Sequence, residues 1–192
     1  MTGATTMSKA PRYQIFPTEA GFCGIAWSDV GIVRFCLPAA NPDAIEAHLL
    51  RHLPAAVPGE PPAEIGEAIA AARAYFAGEA VDFSAFALDL GNQSPTRRAI
   101  YAALQQVGRG ETTTYGALAT AAGMTPQAAR EVGQAMAHNP IPLIIPCHRV
   151  LAAGGKMGGF SAPGGSHSKL AMLELEGADL GRRSTDQYSL PF

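Results

Sequence analysis

The sequence predicts an α/β (α+β) protein in two parts. A small N-terminal α/β domain with a β-sheet spans residues 12–91, and a mainly helical C-terminal domain with a helix-turn-helix and a reactive cysteine spans 92–180. Three observations predict this. Two apolar runs, 22–27 and 32–37, flank the turn Ser28-Asp29-Val30-Gly31 and read as a hairpin. From Ser94 onward the pattern changes to short helix-length segments punctuated by glycine. The charge changes sign at the same place: residues 1–91 hold 5 Lys+Arg against 10 Asp+Glu, whereas residues 92–183 hold 9 against 5. An acidic half joined to a basic half points to an anionic partner on one side only.

At 192 residues the chain has room for one sizeable domain or two small ones, and 47% hydrophobic residues suffice for a core. No segment approaches the ~20 apolar residues of a membrane-spanning helix, so no membrane is expected. Residues 1–11 are small and polar, without the apolar stretch of a signal peptide, and read as a loose tail of a cytoplasmic protein.

After the hairpin, Asn41-Pro42-Asp43 opens a helix to about Leu53. A capping side chain, a proline in the first turn and an acid at the positive end of the dipole all favour it. A proline-rich connector, 54–62, leads to a second helix over 64–77 stopped by Gly78, and 83–90 fits a further strand. Cys23, Cys36, His48 and His52 invite a zinc reading, because the histidines are spaced i, i+4. The cysteines are too far apart for a compact knuckle, so two strand cysteines and two surface histidines are expected, and no metal. Three cysteines also argue against a disulfide framework.

In the second half, Ser94-Pro95 starts a helix to about Val107, with Ile100, Tyr101, Leu104 and Val107 on one face. Gly108-Arg109-Gly110 breaks it. A short helix from Thr114-Tyr115-Gly116 to Ala122, the turn Gly123-Met124-Thr125 and a helix from Pro126 to about His138 suggest a helix-turn-helix. Ala128, Val132, Ala135 and Met136 form the core stripe of the last helix. Gln127, Arg130, Glu131 and Gln134 face outward, with Ala129 and Gly133 small enough to let a partner approach. The bland alternative is an ordinary helical hairpin.

Residues 139–150 read Asn-Pro-Ile-Pro-Leu-Ile-Ile-Pro-Cys-His-Arg-Val. Pro140, Pro142 and Pro146 stiffen the approach, and Leu143, Ile144 and Ile145 suit a short strand buried on both faces. Cys147 then sits where a rigid segment ends. A free thiol is only a few per cent ionised at neutral pH, so a nucleophile needs a neighbouring base or positive field. His148 and Arg149 supply both kinds of neighbour; a buried structural thiol is the plain alternative.

Pro146-Cys147-His148-Arg149-Val150, preceded by Asn139-Pro140-Ile141-Pro142, resembles the active-site signature of the O6-alkylguanine-DNA alkyltransferases. The resemblance runs from about Ser94 to Gly177, and more loosely back to about Phe16. It implies that Cys147 accepts the alkyl group, that His148 takes the thiol proton through a water, and that Glu176 orients His148. It implies that Arg130 fills the gap left by an extruded base, and that Tyr115 packs by the phosphate and assists proton transfer to the departing guanine. Asn139 would link the recognition helix to the active site, with Pro146, Arg149, Phe160 and Ser161 as support, and Ala129, Gly133 and Gln134 on the DNA face. Some members carry zinc in the first half. Three departures stand out: Glu131 in place of a small residue on the DNA-facing helix, Phe160 in place of a tyrosine, and a loop over 161–166 about two residues longer than usual.

The implied activity is that of a suicide DNA repair protein. It would flip O6-alkylguanine out of double-stranded DNA and move the alkyl group irreversibly to Cys147, as a monomer and without a cofactor. Two rivals remain: a lesion-binding module that does not transfer, which Cys147 itself argues against, and an unrelated Cys-His acyl-transfer enzyme, which leaves Arg130 and Tyr115 unexplained.

Overall fold

The computed structural model describes residues 9–160 and 164–180. Strands β1 (Arg12–Thr18), β2 (Gly21–Trp27) and β3 (Ile32–Ala39) form an antiparallel meander, and the two-residue β4 (Val57–Pro58) pairs in parallel with β1. The sheet order is β3-β2-β1-β4. The hairpin of β2 and β3 is the one expected, closed by Ser28 N–H donating to Gly31 O. β1 was not expected. Its sequence, RYQIFPT, buries Tyr13 and Phe16, three residues apart, and so lacks the strict alternation that marks a strand.

Helix α1 (Pro42–His52) is capped by Asn41 Oδ1, which accepts from Ala44 N–H, and α2 (Ala63–Phe76) ends before Gly78 at φ +93°. Residues 83–90 do not form the expected strand. Only Leu88 bridges to Ile32, through Ile32 N–H donating to Ala87 O and Asp89 N–H donating to Ile32 O.

Helix α3 (Pro95–Gln105) buries Ile100, Tyr101 and Leu104. Then come β5 (Thr113–Thr114), α4 (Tyr115–Ala121), a 3-10 turn at Pro126–Ala128 and α5 (Ala129–Ala137), the expected helix-turn-helix. A second 3-10 turn (Cys147–Arg149) precedes β6 (Val150–Leu151), and α6 (Ser166–Leu175) closes the described chain. One apolar cluster runs through both halves, from Phe16, Trp27 and Tyr75 to Leu104, Leu118, Val132 and Ile145. Cys23 belongs to it, whereas Cys36 lies in a smaller cluster with Ile45 and Leu49; both are free thiols.

Candidate active site

The parallel pairing of β5 with β6 assembles the site. Thr113 lies opposite Val150 and Thr114 opposite Leu151, so the Cys147–Arg149 turn enters this pairing through β6 while Tyr115 leaves it at the end of β5, and Tyr115 and Cys147 line one cavity. Thr114 caps α4 through its side chain, which accepts from Ala117 N–H, and this fixes the backbone that carries Tyr115.

Residues 143–145 are buried as expected, but they are not a strand. Pro140, Pro142 and Pro146 have no N–H to give to a ladder, so the chain turns back on itself. Ile145 N–H donates to Ile141 O at 2.9 Å, and Cys147 N–H donates to Ile145 O at 2.8 Å. Leu143 takes φ +78°, a left-handed conformation that costs a leucine ~1 kcal/mol or more. Asn139 holds this turn: its Nδ2 donates to Ile145 O at 2.8 Å, and its Oδ1 accepts from Ile141 N–H at 3.0 Å. The turn also docks on the sheet, where Phe35 N–H at the β3 edge donates to Pro140 O.

Cys147 is 6% exposed, and burial raises its pKa. Opposing that are a hydrogen bond from Asn139, the charge of Lys169, and the backbone N–H groups of Cys147 and His148. Lys169 was not expected from the sequence. It is fully buried, with its Nζ donating to Val150 O and lying 5.9 Å from the Phe160 ring centroid, and burial lowers its pKa to about 8. The available signal was periodic: Lys169, Met172, Leu173 and Glu176 are spaced i, i+3, i+4, i+7 and are all buried.

His148 is entirely buried beside Cys147, and its Nε2 lies 2.7 Å from Glu176 Oε1. Glu176 takes four further donors. Arg149 Nε reaches Oε2 and Arg149 Nη2 reaches Oε1, both at 2.8 Å, Tyr75 Oη reaches Oε1 at 2.9 Å, and Gly110 N–H reaches Oε2 at 3.4 Å. Burial alone would raise the pKa of this carboxyl. The hydrogen bonds from His148 and Arg149, with the charge of Arg149, outweigh it and hold the group ionised, well below the usual range. Burial lowers the pKa of His148, as do the charges of Arg149 and Lys169, against the pull of Glu176, so the ring is neutral at neutral pH. With an acceptor-only carboxylate at Nε2, that nitrogen carries the proton. The other nitrogen, Nδ1, is a buried acceptor with no partner in the protein. Tyr75, the second unexpected member, lies in α2 and brings the first half of the chain into this network.

On the other side of Cys147 a cavity of about 360 Å³ is lined by Tyr115, Gly133, Met136, Ala137, Gly159 and Phe160. Burial raises the pKa of Tyr115, and ionisation of Cys147 raises it further, so the phenol is a proton donor that lines the same cavity as Cys147. Gln127 in the preceding 3-10 turn and Arg130, Glu131 and Gln134 on α5 are exposed, with Ala129 and Gly133 partly so. A Cβ at Gly133 would meet the Tyr115 ring at an ordinary 4.0 Å, so packing does not demand glycine there; its effect is to keep the outer face shallow. Glu131 stands in the first turn of α5, where the helix dipole favours an acid, and it forms no ion pair with Arg130. Pro146 is buried before the 3-10 turn and Phe160 is half-buried. Ser161, with part of the 161–166 loop, lies outside the described residues. Among the described residues no three His, Cys, Asp or Glu side chains gather as a metal site.

A family model described as 6-O-methylguanine DNA methyltransferase, DNA binding domain, matches residues 95–178. A methylated-DNA–protein-cysteine methyltransferase of Mycobacterium tuberculosis is 44% identical over 115 residues, covering 60% of this chain and 67% of that protein. A DNA base-flipping protein of Thermus thermophilus is 41% identical over 128 residues, covering 65% of this chain and 84% of that one. The crystal structure of the M. tuberculosis O6-methylguanine methyltransferase superposes with a TM-score of 0.68 at 32% identity, over 86% of this chain and 92% of that one, and one such structure is in complex with DNA.

Proposed function

The chain belongs to the methylated-DNA–protein-cysteine methyltransferase family, and on that premise we propose that it is a single-turnover DNA repair protein. It binds double-stranded DNA through α5, extrudes an O6-alkylated guanine into the cavity beside Tyr115, and moves the alkyl group to its own Cys147. The observation that carries this reading is the buried, unpartnered Nδ1 of His148, an acceptor held at the nucleophile with its tautomer set by Glu176. A water between Cys147 and Nδ1 passes the thiol proton to the ring. The sulfur's electron pair forms the S–C bond as the C–O6 bond breaks, and Tyr115 assists protonation of the departing guanine. The thioether is stable, so each molecule acts once. Nucleophile and leaving group are supplied by the protein and the lesion, and the transfer calls for no cofactor.

Arg130 occupies the gap left by the base; flipping costs a few kcal/mol, which a planar cation able to stack offsets in part. Asn139 and Pro146 fix the turn that presents Cys147, Arg149 fixes Glu176, and Phe160 covers the base. We assign DNA binding and transfer to residues 92–180 and a scaffold role to 12–91, in a cytoplasmic monomer. No helix among the described residues is long and apolar enough to cross a membrane.

The test is stoichiometric. A duplex carrying O6-methylguanine, titrated with protein, is restored to guanine in a ratio of one lesion per protein, and Cys147→Ser restores none. Tight binding of the lesion without restoration by the unmodified protein identifies a non-transferring lesion-binding module instead.

A further inference from the structure

A second cavity, of about 570 Å³, meets the first at the sulfur. The two share Met136, Ala137, Cys147 and Phe160, and the larger one continues as a groove between β3 and α1 on one side and α3 and α5 on the other. Apart from its cysteines, its ionisable lining is basic throughout: the guanidinium groups of Arg34, Arg51 and Arg97 and the imidazoles of His48, His52 and His138, with no carboxylate. The acids of α1 are placed elsewhere, Glu46 accepting from Tyr13 Oη and Asp43 standing exposed in the first turn. Arg34 is half-buried, and its Nε is a buried donor without a partner. Arg97 Nη1 donates to Gln93 Oε1 at 3.3 Å and, among the described residues, pairs with no carboxylate. The field in the groove is positive: burial lowers the pKa of His48, and His52, Arg34 and Arg51 lower it further.

Transfer by in-line displacement sets sulfur, carbon and O6 on one line. Any second carbon of the O6 substituent then projects sideways from that line. With guanine filling the smaller cavity, the open side is the groove. A methyl group needs none of this volume, and an uncharged chain makes no use of three guanidinium groups.

We propose that the groove receives O6 substituents longer than methyl that end in a negative charge, carboxyalkyl groups as a class, and that Arg34 and Arg97 set this preference. The inference rests on Cys147 as acceptor. The covalent step is unchanged: the S–C bond forms, the C–O6 bond breaks, the electron pair leaves with guanine, and the thiol proton is passed on through His148. The carboxylate is a spectator that stays in the groove on the alkylated protein.

Four duplexes test it, carrying O6-methyl-, O6-carboxybutyl-, O6-carbamoylbutyl- and O6-aminobutylguanine, each followed in single turnover. The carboxybutyl lesion is expected to react faster than its neutral carboxamide by about fivefold or more at low salt, the amine slowest, with the spread shrinking as salt rises. In Arg34→Gln/Arg97→Gln the three long lesions converge while methyl transfer keeps its rate. A carboxylate no faster than the carboxamide in the unmodified protein, or a preference that survives the double substitution, overturns the proposal. Should the double variant fail on methylguanine too, the unmodified protein's ratio and its salt dependence decide. Absence of methyl transfer by the unmodified protein defeats instead the repair function itself.

Discussion

The hydroxyl of Tyr75 donates to Glu176 Oε1 at 2.9 Å, joining residues 101 positions apart in the chain. The hydroxyl also lies 3.5 Å from His148 Nε2. That nitrogen carries its own proton toward the carboxylate, so the phenol has only Glu176 to donate to. A helix of the N-terminal half therefore tempers the carboxylate that holds His148, the proposed base, and Arg109, 5.7 Å from the Tyr75 ring centroid, braces it by donating to Gly78 O, Glu79 O and Leu175 O.

Tyr75→Phe keeps the ring and removes the donor. Glu176 then pulls harder on the His148 proton, and the depressed pKa of His148 rises toward the ordinary histidine value of about 6.5. Transfer needs neutral His148, so the acidic limb of the rate–pH profile moves to higher pH. Transfer at about pH 6 should fall several-fold and recover above about pH 8. A uniform loss at all pH values would assign Tyr75 to packing alone.

Lys169 trades stability for reactivity. Its folded pKa, about 8, lies below the ordinary lysine value, so below pH 8 the protein bears the full cost of a buried charge. That cost is relieved as pH rises from 8 toward about 10.4. Lys169→Met should raise stability at neutral pH by about 1 kcal/mol or more, with the gain shrinking above pH 8. The same substitution removes the positive charge beside Cys147, and each unit by which the thiol pKa then rises lowers the thiolate fraction about tenfold. Thermal melts and single-turnover rates on one variant check both signs; a loss of both stability and rate would contradict the trade.

Arg130 and Glu131 are neighbours without an ion pair, so their effects on duplex binding should add. Arg130→Ala should slow transfer from duplex by about tenfold or more while leaving transfer from the free base nearly unchanged. Glu131→Ala should tighten duplex binding, most at low salt, because a carboxylate on this face repels phosphate. It should also cost α5 about 0.5 kcal/mol of dipole stabilisation. Additivity in the double variant is the expected result; strong coupling would mean that the two side chains pair before DNA arrives.

The helices were legible because their signals are local. Asn41, Ser94 and Thr114 each cap the helix they precede, and the apolar spacing of Ile100, Tyr101 and Leu104 fixes the buried face of α3. Where tertiary bonds decide, the sequence misleads. Residues 143–145 have strand composition, yet Asn139 and three prolines make them a turn. Residues 83–90 have strand composition, yet find only one bridge to Ile32. Cys147 and His148 were visible as neighbours, and Glu176 through the family pattern. Tyr75 and Lys169 were not, because a tyrosine and a lysine in amphipathic helices normally face water at one end. Only the packing of α2 and α6 against the Cys147–Arg149 turn reveals what those ends touch.

The central claim, that Cys147 is the acceptor, is tested most directly by intact-mass and peptide analysis after incubation with a duplex containing O6-methylguanine. The expected result is a gain of one methyl group per protein, carried by the peptide that contains Cys147 and absent in Cys147→Ser. An unchanged mass with retained lesion binding, or a methyl group on Cys23 or Cys36, would contradict it.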